Sequence, residues 1–111
     1  MKSNRDLGFV PLFGEEGQNS SEVNADGGGS LSIDVTVGQR GKVYRAYAYQ
    51  WHHEQDASRE GIRDEVSCRA DDPMEAARRW RVAALRRGWH APGVEAAYSD
   101  LIDEIAEALD D

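Results

Sequence analysis

Apolar and polar residues alternate strictly over Leu31-Ser-Ile33-Asp-Val35-Thr-Val37, which predicts a half-buried β-strand rich in β-branched side chains. Gly38-Gln39-Arg40-Gly41 supplies turn chemistry, and the period of two resumes from Lys42 to Trp51. Val43, Arg45, Tyr47, Tyr49 and Trp51 share one face of this second strand; Tyr44, Ala46, Ala48 and Gln50 share the other. The pair predicts a hairpin. After the polar run 52–61, residues 62–70 (IRDEVSCRA) predict a third strand with Ile62, Val66 and Cys68 inward, a short helix being the alternative. The period then changes. Asp71-Asp72-Pro73 has the chemistry of a helix start, and MEAARRWRVAALRR runs from there to Gly88, a natural stop. Met74, Ala76, Ala77, Trp80, Ala83, Ala84 and Leu85 form its apolar side, the alanines implying close approach to a sheet with Trp80 filling the gap. Trp89 to Gly93 reads as a loop. A last helix follows over Val94–Leu109, with Val94, Ala97, Tyr98, Leu101, Ile105, Ala108 and Leu109 on one stripe. The predicted class is α+β: an antiparallel sheet of two to three strands followed by two helices packed on one face.

The first thirty residues do not share this regularity. Residues 14–30 (GEEGQNSSEVNADGGGS) have a single large apolar side chain, Val23, and predict a flexible linker. Before them lies an apolar island, Leu7-Gly8-Phe9-Val10-Pro11-Leu12-Phe13. The expected organisation is therefore a disordered N-terminal arm over 1–30 and a single α+β domain over 31–111. The island either folds back onto the core or serves as a recognition peptide, with Phe9, Leu12 and Phe13 as its contacts. Phe9-Val10-Pro11-Leu12-Phe13 resembles the bacterial sliding-clamp-binding peptide in its Leu-Phe ending. The resemblance covers five residues, and Phe9 stands where that peptide has Gln.

The chain has 111 residues and a net charge of −8, which disfavours attraction to nucleic acid or to an anionic membrane. The layout of charge says more than the total. Residues 71–90 hold five arginines against three acids, whereas residues 91–111 hold seven acids and no base. On a helical projection Asp100, Asp103, Glu104 and Glu107 fall opposite the apolar stripe of the last helix. Repulsion at i, i+4 and the helix dipole both oppose that row. It is either a solvated face, a row facing the arginines of the neighbouring helix, or a surface for a basic partner. A line of carboxylates can stand in for a line of phosphates. In size and charge the chain is similar to small phage and plasmid inhibitors of restriction or CRISPR systems. The expected function is thus a non-enzymatic protein-binding module, an inhibitor or adaptor, that contacts a basic, nucleic-acid-binding protein through Asp100, Asp103, Glu104 and Glu107.

Two alternatives carry residues of their own. Tyr44 and Arg45 on the sheet, with Arg78, Arg79 and Arg86 on the basic helix, could stack bases and hold phosphates. Tyr47, Tyr49 and Trp51 suit that platform or a core facing the helices equally well. His52, Cys68 and His90 are the candidates for a metal or acid–base centre, yet their spacing matches no zinc pattern. No cofactor, metal site or catalytic residue is expected. Glycine-rich phosphate loops, GxSxG and HExxH are not present. A single cysteine excludes an internal disulfide and fits a reducing compartment. With no apolar signal segment near Met1, the expectation is a complete cytoplasmic chain.

Overall fold

Two runs of alternating apolar and polar residues form the centre of the sheet. In the computed structural model, which describes residues 3–14, 21–24, 30–53 and 62–110, the hairpin is formed by β3 (Ser30–Arg40) and β4 (Val43–His53). Arg40 pairs with Val43, so the turn is Gly41-Lys42 and β3 runs through the predicted turn residues 38–40. Gly41 supplies the left-handed conformation, φ 62°, that a two-residue hairpin turn demands. Antiparallel to β4 lies β5 (Ile62–Ala70), a strand and not a helix.

On the other side β3 is flanked by two short strands in tandem. β1 (Val10–Phe13) pairs with its C-terminal half and β2 (Ser21–Asn24) with its N-terminal half. The described sheet is therefore four strands across, in the order β1-β3-β4-β5 with β2 also on β3, and exceeds the two to three strands expected. The apolar island takes the first of its two readings and folds back: β1 is part of the sheet. Pro11 fits there because an edge strand does not need every N–H, and the register breaks between Pro11 and Phe13. The linker predicted over 14–30 holds β2, and its other residues 15–20 and 25–29 lie outside the described set.

Helix α1 (Pro73–Arg86) starts as its sequence dictates: the Asp72 carboxylate accepts from the Glu75 N–H at 3.1 Å, and Pro73 opens the first turn. Its end is a Schellman motif. The Gly88 N–H donates to Leu85 O and the Trp89 N–H to Ala84 O, with Gly88 at φ 85°. α2 (Ala91–Leu109) begins three residues before the predicted Val94, because Pro92 is tolerated in a first turn. α1 lies over β4 and β5, α2 over β3 and its flanking strands. Among the described residues, no helix is long and apolar enough to cross a membrane.

One face of the sheet meets the helices. Ile33, Val35 and Val37 of β3, Ala46 and Ala48 of β4, and Val66 of β5 pack with Ala76, Ala77, Trp80 and Ala84 of α1 and with Val94, Ala97, Leu101 and Ile105 of α2. Alanines on both sides permit close approach, and Trp80, wholly buried, fills the space between. Trp89 meets it edge-on, centroids 6.4 Å apart. Two residues of the predicted α2 stripe, Ala108 and Leu109, are exposed because the helix runs past the end of the core.

The α1 terminus is tied to β5 by Asp64. Its carboxylate accepts from Arg87 Nε at 2.9 Å and from Trp89 Nε1 at 2.8 Å, and a second Arg87 nitrogen closes a bidentate pair. The Arg87 hydrogen bond, opposed by burial and aided by the Trp89 indole, holds the Asp64 carboxyl down at about 2. The folded value lies below the unfolded one, so this contribution is complete above the unfolded value of about 4 and is lost as pH falls from there toward 2. Asp64→Asn should lower stability near neutrality and flatten the acid limb of the pH–stability curve. Urea titrations across that range check this, and an acid limb of unchanged steepness would contradict it. At Gly38 an added Cβ would lie 3.0 Å from Phe9 Cβ and 3.1 Å from Val10 O. Gly38→Ala should destabilise by about 1–3 kcal/mol, read from the midpoint of thermal unfolding.

Candidate functional site

The predicted partner-binding residues of α2 separate into two groups. Asp100, Asp103 and Glu107 are exposed. Among the described residues they make no ion pair with the arginines of α1, whose partners lie elsewhere: Arg78 and Arg79 contact Glu75, Arg81 contacts Glu95, and Arg87 contacts Asp64. Glu104 is turned toward the sheet edge. It is half-buried and accepts from the Gly14 N–H at 2.9 Å, clamping the end of β1 to α2. The helical layer therefore presents a basic row on α1, Arg78, Arg79 and Arg86 about Val82, beside an acidic row on α2.

The tail-borne contacts do not survive as a unit. Phe9 is 1% exposed, Phe13 is half-buried against the core, and only Leu12, at 44%, faces solvent. Phe9 is held because three guanidinium groups surround its ring, Arg40 at 4.6 Å, Arg69 at 5.3 Å and Arg45 at 6.0 Å from the centroid. A ring so placed is not available to a clamp-type groove.

The nucleic-acid set is dispersed as well. Tyr44 lies on the helix side of β4, partly buried against the core, whereas Arg45 lies on the outer side and is 2% exposed. Arg78, Arg79 and Arg86 are exposed on α1. These five residues occupy three surfaces and form no common platform. Arg45 is committed internally, donating to Asn4 Oδ1 at 2.8 Å; burial first, then Arg69, pulls its pKa down. For the acid–base alternative, the thiol of Cys68 is half-buried and pushed up by burial, against a weaker opposing effect of Arg79. His90 is exposed ahead of α2 and makes no side-chain cap. The side chains of His52 and His53, and all of Glu54, lie outside the described set.

The opposite face of the sheet holds what sequence reasoning missed. Tyr47, Tyr49 and Trp51 turn away from the helices, the outcome of two that the sequence had left level. Tyr49 donates to Asp34 at 2.7 Å and Tyr47 to Glu65 at 2.8 Å. Residues 3–9 fold over this face, anchored by Asn4 Nδ2 donating to Thr36 Oγ1 at 3.1 Å. Between them lies a cavity of about 290 Å³ lined by residues that include Asn4, Arg5, Asp34, Thr36, Tyr47 and Tyr49. A signal was available: in any hairpin that puts Ile33 and Val35 beside Ala46 and Ala48, Asp34 and Thr36 share a face with Tyr47 and Tyr49.

No family model, no curated protein and no solved structure matches this chain. Phe9→Ala should cost about 3–5 kcal/mol through the cavity left among the three arginines. Chemical denaturation measures this, and a loss below about 1 kcal/mol would mean that the ring is not seated as described.

Proposed function

We propose that this chain is a non-enzymatic binding protein whose α2 face engages a basic protein surface. The observation that carries the proposal is the exposure of Asp100, Asp103 and Glu107 on successive turns of one helix without an ion pair among the described residues, although a helix rich in arginine lies alongside. Like charges at this spacing weaken an isolated helix by a few tenths of a kcal/mol each, about 0.2–0.5 per pair. Burial of Val94, Ala97, Leu101 and Ile105 offsets that cost and keeps the row rigid. A rigid row of carboxylates matches a groove lined by lysine and arginine, the surface a nucleic-acid-binding enzyme offers to phosphates. The mode is that of an inhibitor or adaptor. Glu104 contributes by fixing β1 under the helix.

Support also comes from what the α1 arginines do. Arg81 and Arg87 are raised in pKa by their own carboxylates, Glu95 and Asp64, through hydrogen bonds first. They complete the fold and leave the acidic row of α2 to face outward.

Simultaneous reversal of Asp100, Asp103 and Glu107 to lysine, with Glu104 left intact, should preserve the circular dichroism spectrum. Affinity for the partner captured from the host cell should fall at least about a hundredfold. The captured protein should bind nucleic acid, and duplex DNA should compete for it. Equal capture by the reversed variant, with no competition by DNA, would eliminate the proposal.

A further inference from the structure

We infer that the outer face of α1 is a docking site for α2 of a second copy of this chain. Along α1 the exposed Arg78, Arg79 and Arg86 surround Val82, itself 39% exposed. With Ala83 they form a shallow depression of about 500 Å³ that has a basic rim and an apolar floor. The chain is acidic overall, at −8, so this face is a local exception. It fits a partner that carries carboxylates on a rigid support and offers some apolar contact beside them.

The second helix has that form. Asp100, Asp103 and Glu107 are exposed on one side of α2, and Leu109, 60% exposed, ends it. The rows also match in length. At about 1.5 Å per residue, Arg78 to Arg86 spans roughly 12 Å and Asp100 to Glu107 roughly 10 Å. Within one chain the rows lie side by side and do not pair among the described residues. A two-fold axis removes that obstacle. Each copy then gives its α1 face and receives on its α2 face, so the contact forms twice and closes. The arginines can take part. Arg86 has no ion pair among the described residues, and the side chains of Arg78 and Arg79 are 62% and 56% exposed while they share Glu75, so those pairs contribute little. Two chains of like net charge repel at long range, but at physiological ionic strength screening over about 8 Å leaves the facing rows to decide. The pairing needs the exposed α2 row and not the partner proposed above; a basic partner and a second copy compete for that row.

Sedimentation velocity of the full-length protein at concentrations up to about 1 mM reads the association. A concentration-dependent shift from monomer to dimer is expected. Raising salt from about 0.15 M to about 1 M, where screening shortens to about 3 Å, should weaken it. Val82→Glu sets a carboxylate among the incoming acids and should weaken it at least about tenfold. One row variant combines Arg78→Glu with Arg86→Glu and leaves Arg79 to donate to Arg69 O. The other combines Asp100→Lys, Asp103→Lys and Glu107→Lys. Each should be monomeric with a native circular dichroism spectrum. Mixed in equal amounts, the two should form a dimer with one copy of each, since each brings the row that the other lacks. Both remain net acidic, so general attraction does not produce that dimer. A wild-type protein that stays monomeric throughout, a natively folded row variant that self-associates as tightly as wild type, or a mixture of folded variants that stays monomeric would each overturn the inference. At dilution, Arg78→Glu with Arg86→Glu should capture the basic partner with unchanged affinity, so this inference and the proposed function fail separately.

Discussion

The close contact of alanine with alanine between α1 and the sheet governs the arrangement of the whole molecule. Ala46 and Ala48 on β4 face Ala76, Ala77 and Ala84 on α1, and one fully buried indole, Trp80, occupies the space they leave. Packing of that density tolerates little change in volume. It also sets the orientation of β4. Because the small side chains must face the helices, Tyr47, Tyr49 and Trp51 are delivered to the opposite face, which neither described helix covers.

That face cannot be left as bare aromatic surface beside a buried carboxylate, and the N-terminal segment answers the requirement. Asn4 bonds both Thr36 and Arg45, Phe9 fills the space among three guanidinium groups, and Gly38 has no side chain because Phe9 and Val10 occupy its place. Residues 3–13 thus provide a second layer over one end of the sheet. The cavity beneath them is bounded by the segment on one side and by the tyrosine rings on the other.

Much of this architecture was legible in the sequence. The alternation over 31–37 and 43–51, the Asp72-Pro73 start and the Gly88 stop all express local physics, and the elements follow them. What was not legible depends on partners distant in the chain. Val10–Phe13 is too short to declare itself a strand, and becomes one only because β3 extends to Arg40 and offers an open edge. Glu104 belongs by projection to the acidic row, but the Gly14 N–H lies ninety residues away in sequence and withdraws it. Ala108 and Leu109 continue the apolar stripe past the point where the sheet ends. The cavity was hidden for a related reason: Asp34 reads as an ordinary outward residue until the register places Tyr49 across from it.

The sheet order leaves β5 paired on one side only among the described residues, so one long backbone edge has no neighbouring strand. Such an edge is a template on which identical chains can stack into fibrils. The sequence of β5 opposes this, since Asp64, Glu65 and Arg69 place charge along a strand of nine residues. Any incoming copy would have to desolvate those groups in register. The same strand anchors the end of α1 through Asp64.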